Sequence, residues 1–231
     1  MRHALLAALG VVVAALPAPG GAAAQGCRLA LALALDVSSS VDAREYRLQR
    51  DGLAAALLAP EIREAFLAVP SAPVKLLIYE WSGWQQQELR QDWTTIATAS
   101  DLDGVAARLG AQGRSYAQFP TALGLALLYG GQALGRRDEC ERRTLDVSGD
   151  GTNNDGASPE LVKREFPFEG ITINGLVVGS NNATLARYYR EFVIAGPGAF
   201  VEEAGDYADF EAAMRRKLLR ELGIFEMSER P

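Results

Sequence analysis

Asp36, Ser38 and Ser40 stand at alternate positions directly after an aliphatic run, in the stretch LALALDVSSSVDAREYRLQRDG. In a locally extended chain, side chains two residues apart point the same way, so one carboxylate and two hydroxyls would face a common point. A hard divalent cation takes about six oxygen ligands, and magnesium keeps several waters while using few carboxylates. The trio would make half such a shell. Thr121, at the entry to an expected helix, supplies a further hydroxyl, and Asp150, after an expected strand, a second carboxylate. Asp146 lies on the same strand and stays open as an alternative; Asp150 is preferred because it follows the strand end beside a glycine, where backbone turns readily. The plainer role for a serine before a helix is to cap it, and Ser40 is open to that reading.

Other chemistry is limited by what the chain lacks. Its one histidine is His3, so Ser-His and Cys-His catalysis and His-ligated metals are excluded from a chain processed beyond that residue. No P-loop is present and no G-x-G-x-x-G opens the first helix, which removes the usual backbone cradles for nucleotides. Asp150-Gly-Thr-Asn-Asn-Asp155 has the look of a calcium loop, but the sixth position is Asp155 rather than glycine and the closing glutamate is missing. Glu80-Trp81-Ser82 ends another expected strand, where packing of Trp81 under a helix competes with a place on a site's rim. Arg215-Arg216-Lys217 reads as the solvated face of the last helix.

The elements that must position these residues follow from hydrophobic spacing. Strands are expected at Leu29–Leu35, Val74–Trp81, Gln86–Trp93 (near an edge), Arg143–Val147, Ile171–Val178 and Phe200–Glu202. Helices are expected from Asp42 to about Leu58, opened by an Asp42/Glu45 capping box, and in a shorter piece bracketed by Pro60 and Pro70. Others are expected at Asp101–Leu109, Thr121–Leu134, Pro159–Phe166, Asn182–Val193 and Asp206 to about Leu222, the last with Phe210, Met214, Leu218 and Leu222 on one stripe. Strands alternating with helices predict a doubly wound α/β fold with a mostly parallel sheet, which binds ligands beyond the carboxyl ends of its strands. Asp36 and Asp150 both fall at such ends.

The 231 residues are 48% hydrophobic and 23% charged, enough for one domain with a full core. A net charge of −6 leaves no basic stripe for phosphates and argues against nucleic acid. A short basic start, an apolar run from Ala4 to Leu16 and the small residues Ala22–Ala24 predict a secretory signal peptide over 1–24 and export to the periplasm or beyond. One domain would then span 25–226, with a tail at 227–231 and no membrane span. Lipidation of Cys27 is the alternative, although Ala24-Gln25-Gly26 makes a poor lipobox.

Asp-x-Ser-x-Ser, a distant threonine before a helix and a later aspartate after a strand together resemble the metal-ion-dependent adhesion site of von Willebrand factor type A domains. More narrowly, LDVSSSVDAREYRLQRDG, YEWSG, LDVSGDGTNN, GITINGL and GPGAFV resemble a family of uncharacterised secreted bacterial proteins with A-domain-like folds. The resemblance covers about residues 28–222. It implies six strands in the order 3-2-1-4-5-6 with helices on both faces. It also implies a cation, magnesium first and manganese or calcium next, held by Asp36, Ser38, Ser40, Thr121 and Asp150, with a protein partner's acidic side chain completing the shell. Phe119-Pro120 departs from the small residues common before that threonine.

In that strand order the first and fourth strands are neighbours. Cys27 lies nine residues before Asp36 and Cys140 ten before Asp150, so both cysteines start those strands at the opposite edge. Neighbouring strands lie about 4.8 Å apart, close to the Cα separation a disulfide needs, and export favours oxidation. A Cys27–Cys140 bond is therefore expected. The functional expectation is a non-enzymatic, metal-dependent protein-binding module. A magnesium-dependent hydrolase or phosphatase using Asp36 is the alternative, although a dehalogenase-like site would want aspartate where Ser38 stands. An A-like scaffold without metal is the remaining reading.

Overall fold

The structure is a computed structural model that describes residues 26–179 and 183–223. The expected signal peptide at 1–24 and the tail at 227–231 lie outside the described residues. Six strands form one sheet in the order β3-β2-β1-β4-β5-β6: β1 Leu29–Asp36, β2 Val74–Trp81, β3 Gln87–Ile96, β4 Arg143–Gly149, β5 Ile171–Val178 and β6 Val201–Ala204. All neighbouring pairs are parallel except β2 with β3, the antiparallel edge hairpin. The helices are α1 Ala43–Leu58, α2 Pro60–Leu67, α3 Ala99–Ala111, α4 Leu123–Leu134, α5 Pro159–Glu165, α6 Ala183–Tyr188 and α7 Phe210–Glu221. A π-helical turn at Tyr189–Val193 extends α6, and a 3-10 turn at Tyr207–Asp209 leads into α7.

The central strand shows how the sequence sorts its two layers. In LALALALD the leucines 29, 31, 33 and 35 enter one core with α1, α2, α3 and α7, while Ala30, Ala32 and Ala34 enter the other with α4. A strand buried on both faces needs apolar residues throughout. Here the small side chains mark where a helix comes close. A Cβ on Gly130 of α4 would stand 2.5 Å from Leu145 and 2.7 Å from the Tyr79 hydroxyl, so that helix sits on the sheet only as glycine. The Asp42/Glu45 capping box forms as expected: the Asp42 carboxylate accepts from the Arg44 and Glu45 amides, and Glu45 accepts from the Asp42 amide.

Cys27 and Cys140 are joined in a disulfide, with Cα atoms 4.4 Å apart and a sequence separation of 113. Their backbones form an isolated parallel bridge that continues the β1–β4 pairing at the lower edge of the sheet. No described helix is long and apolar enough to cross a membrane.

One sequence expectation fails. Lys217 does not belong to a solvated face: it is 0% exposed, 2.7 Å from Glu221 and 3.1 Å from Asp146 in the middle of β4. The physical reason is the α7 stripe itself. Positions 210, 214, 217, 218 and 221 all point inward, and the lysine neutralises an aspartate that the strand has carried into the interior.

Candidate metal centre

Asp36 is the last residue of β1, where the strand delivers it to the carboxyl edge of the sheet already buried. Its backbone carbonyl accepts from Gln49 of α1 at 2.8 Å. The Val37 amide donates to the Trp81 carbonyl at 2.9 Å, continuing the pairing one residue past the strand. Arg114 then holds the loop from outside, donating to the carbonyls of Val37 and Ser38 at 2.9 and 2.8 Å. The chain is thus fixed on both sides while it turns from strand to helix.

All five oxygen-bearing residues expected at the site come together. The Ser38 amide donates to Asp36 Oδ1 at 2.7 Å, and the Ser38 and Ser40 hydroxyls are 3.1 Å apart. Ser40 Oγ donates to Asp150 Oδ1 at 2.6 Å, and Thr121 Oγ1 donates to Ser38 Oγ at 3.3 Å. Ser39 is exposed, and its amide instead donates to the Phe119 carbonyl at 2.8 Å. Asp146, the alternative to Asp150, is occupied by Lys217 and sits deeper along β4.

Thr121 is placed by a loop that sequence reasoning set aside. Asn154 Oδ1 accepts from the Thr121 amide at 2.8 Å, and the amides of Asn154 and Asp155 donate back to the Thr121 carbonyl. Asn153 Oδ1 accepts from the Gly124 amide at 3.0 Å, capping α4 where its own Ala122 offers no side-chain cap. The signal was the adjacent asparagines in GDGTNND, which read as a failed calcium loop but serve as clamps. A second support was also missed. Buried Glu80 accepts from the Tyr46 hydroxyl at 2.9 Å and from the Ser115 amide and hydroxyl, with Arg90 3.5 Å away. This fixes the segment that carries Arg114.

The electrostatics single out Asp36. Its carboxyl is 0% exposed, and Oδ2 is buried without a hydrogen bond. Burial, then the neighbouring Asp150 charge, pushes its pKa from 3.8 up to about 7, against the pull of hydrogen bonds from Ser38 and from the Asp150 backbone. The space beside Oδ2 exists because residue 149 is glycine: a Cβ there would lie 3.0 Å from that oxygen and 2.6 Å from the Tyr189 hydroxyl. That hydroxyl and the Trp81 indole nitrogen are likewise buried without partners. Tyr189 is held well above the usual phenol range, by burial first and then by Asp36 and Asp150.

A cation would find two carboxylates and three hydroxyls here. Among the described residues no group of three or more His, Cys, Asp and Glu side chains is arranged to hold a metal, so hydroxyl oxygen dominates the donor set. That composition suits a hard ion that keeps its waters. The fit rests on the unsatisfied Asp36 oxygen: a buried carboxylate without a donor is costly, and a cation offsets that cost.

Residues 26–225 match the model of a family described as "Protein of unknown function (DUF1194)". The chain belongs to this family. The DUF1194 chain matches no curated protein in sequence. Its fold is shared with solved structures. Proximal thread matrix protein 1 from the mussel byssus superposes with a TM-score of 0.62 at 13% identity, over 85% of this chain and 48% of that one. The same mussel protein with a zinc-occupied MIDAS motif gives 0.59 at 15%, over 85% and 46%. A von Willebrand factor type A structure from Catenulispora acidiphila gives 0.59 at 14%, over 85% and 43%. The DUF1194 chain spans about half the length of the mussel structures it matches. It has the A-domain architecture, in the strand order the motifs implied.

Proposed function

We propose that this chain is an exported, metal-dependent protein-binding module in which Asp36, Ser38, Ser40, Thr121 and Asp150 hold a divalent cation, magnesium first. The observation that carries the reading is the fully buried Asp36 carboxylate with an orphaned oxygen, tied through Ser38 to a hydrogen-bonded group of three hydroxyls and a second carboxylate. A neighbour in fold with a zinc-occupied MIDAS motif supports a divalent ion in general. When bound, the ion would supply a Lewis-acidic point of attachment for a carboxylate from a protein partner.

The chain's own residues do the rest. Ser40 and Asp150 lie toward solvent, where a partner can reach, while Asp36 stays behind them. Gln49, Arg114 and the two asparagines fix the loops before any partner arrives, which lowers the ordering cost of binding. No histidine stands at the site as a general base, so binding without turnover is the reading we adopt. Export rests on the signal-like residues 1–24 and on the disulfide, which belongs to an oxidising compartment.

The test is calorimetric titration of Mn2+ and Mg2+ into wild type and Asp150→Ala. Wild type should bind one ion and the variant should lose most of that affinity. Equal heats from the two proteins, or none from wild type, would remove the metal from the reading.

A further inference from the structure

Two of the large apolar side chains that this domain leaves in solvent belong to two segments that meet beside the candidate centre, the β2–β3 turn and the loop before Thr121. Trp84 is 60% exposed and Phe119 40% exposed. Phe119 is two residues before Thr121, and its carbonyl accepts from the Ser39 amide and the Ser82 hydroxyl. Trp84 sits at the tip of the β2–β3 turn beside Gly83. A Cβ on Gly83 would lie 3.3 Å from Phe119 Cβ and 3.4 Å from Asp155 Oδ2, so turn and loop are in contact there.

Both aromatics are presented on fixed backbone. The Ser82 amide donates to Gln86 and the Gln86 amide to Gly83, which closes the turn, and Gln87 donates to the Gly83 carbonyl at 2.9 Å. The Trp84 amide donates to Asp155 Oδ2 at 3.0 Å, tying it to the loop that clamps Thr121. Phe119 packs edge-on against Tyr116 with centroids 5.7 Å apart. A single exposed apolar residue needs no explanation. A pre-positioned tryptophan and phenylalanine beside a polar centre have the composition of an interface anchor, where aromatic residues carry most of the binding energy.

We infer that Trp84 and Phe119 form an apolar subsite that reads the partner residues next to the acidic one, so that the partner presents a lone Asp or Glu within a stretch of large apolar side chains. The inference rests on the acidic-partner reading above and names the partner's chemistry. Charge decides the rest of the motif. Asp155 lies against the turn that carries Trp84, and Asp150 lines a cleft of about 260 Å³ together with Glu45 and Asp206. A second acidic residue on the partner would meet these carboxylates, whereas an apolar one meets the aromatics.

The experiment uses an immobilised library of short synthetic peptides, each with a central Asp or Glu and randomised flanks. Wild type, Trp84→Ser and Phe119→Ser are probed in Mn2+ and in EDTA, with Mn2+-induced thermal shifts measured on the same samples. Wild type should retain peptides with Trp, Phe, Leu or Met within three positions of the acid. The serine variants should lose this preference by roughly tenfold or more while keeping the Mn2+ shift. Flank-blind retention, unchanged selection by the variants, or no retained peptide beside an intact Mn2+ shift would each overturn the inference. Apolar selection that survives EDTA but disappears in the variants would sustain the subsite and sink the metal reading instead.

Discussion

In metal-free buffer, Asp36→Asn should make the protein more stable while abolishing its response to divalent cations. The carboxyl is buried, and its pKa rises from 3.8 to about 7 on folding. Because the folded value lies above the unfolded one, the group's contribution is fully present below about pH 4 and is lost as pH rises through 7. At ~1.4 kcal/mol for each pH unit, wild type forfeits on the order of 4 kcal/mol across that window. Asparagine is isosteric and neutral. Its oxygen still accepts from the Ser38 amide, and its amide group offers a donor where Asp36 Oδ2 accepts no bond. Partial relaxation around the wild-type carboxylate reduces the expected gain at pH 8 to about 1–3 kcal/mol, or ~2–10 °C in Tm for a domain of this size.

Thermal melts in EDTA at pH 5 and pH 8, repeated in Mn2+, read both halves of this expectation. The variant's advantage should widen from pH 5 to pH 8. Saturating Mn2+ should raise the wild-type Tm and leave the variant's unchanged. A variant that melts below wild type at pH 8 in EDTA would show that Asp36 is paid for inside the protein. A variant that keeps the Mn2+ shift would place the ion elsewhere.

Reducing the Cys27–Cys140 bond, which closes a 113-residue separation, should cost up to about 4–5 kcal/mol on the chain-entropy model; denaturant melts with and without reductant measure it, and coincident midpoints would refute it. Lys217→Met leaves Asp146 and Glu221 without their buried cation and should destabilise by roughly 3–5 kcal/mol. Burial and Glu221 raise the Asp146 pKa from 3.8 to about 8 on folding, so its contribution to wild-type stability should be full below about pH 4 and be lost as pH rises to about 8; a flat profile in urea melts across that range would contradict this. Gly149→Ala places a methyl 3.0 Å from Asp36 Oδ2 and should weaken Mn2+ binding while costing about 1–3 kcal/mol in stability, with calorimetry and melting as the two readouts.

Hydrophobic spacing carried most of this fold because four of the six strands are buried on both faces and the long helices keep an apolar stripe. Boundaries moved where polar residues lie within an element: β3 continues through Thr94 and Thr95 to Ile96, and β4 through Ser148 to Gly149. The five residues of the candidate centre could be picked out because each lies at the end of a strand or in the short loop between a strand and a helix or before a helix, positions where a sheet of this type exposes side chains at one edge. Their supports were not, since Gln49, Arg114 and Asn154 act through hydrogen bonds to backbone or side chains that no local spacing announces.

Lys217 falls between these cases, and its clue was present. Asp146 stands inside LDVSG, a strand with apolar neighbours on both sides, where an unpaired carboxylate would be prohibitive. Some cation had to reach it. Lys217 and Glu221 occupy α7 at the same helical spacing as Phe210 and Met214, so the stripe that identified the inward face also pointed the lysine at the sheet. Reading Arg215-Arg216-Lys217 as one block of charge hid this, because consecutive helical residues are about 100° apart and cannot share a face. Arg215 meets Glu61 and Arg216 meets Glu202 at the surface, while the third basic residue turns into the core. A charged residue that continues an apolar period is thus better read as the partner of an unexplained buried charge than as part of the run beside it.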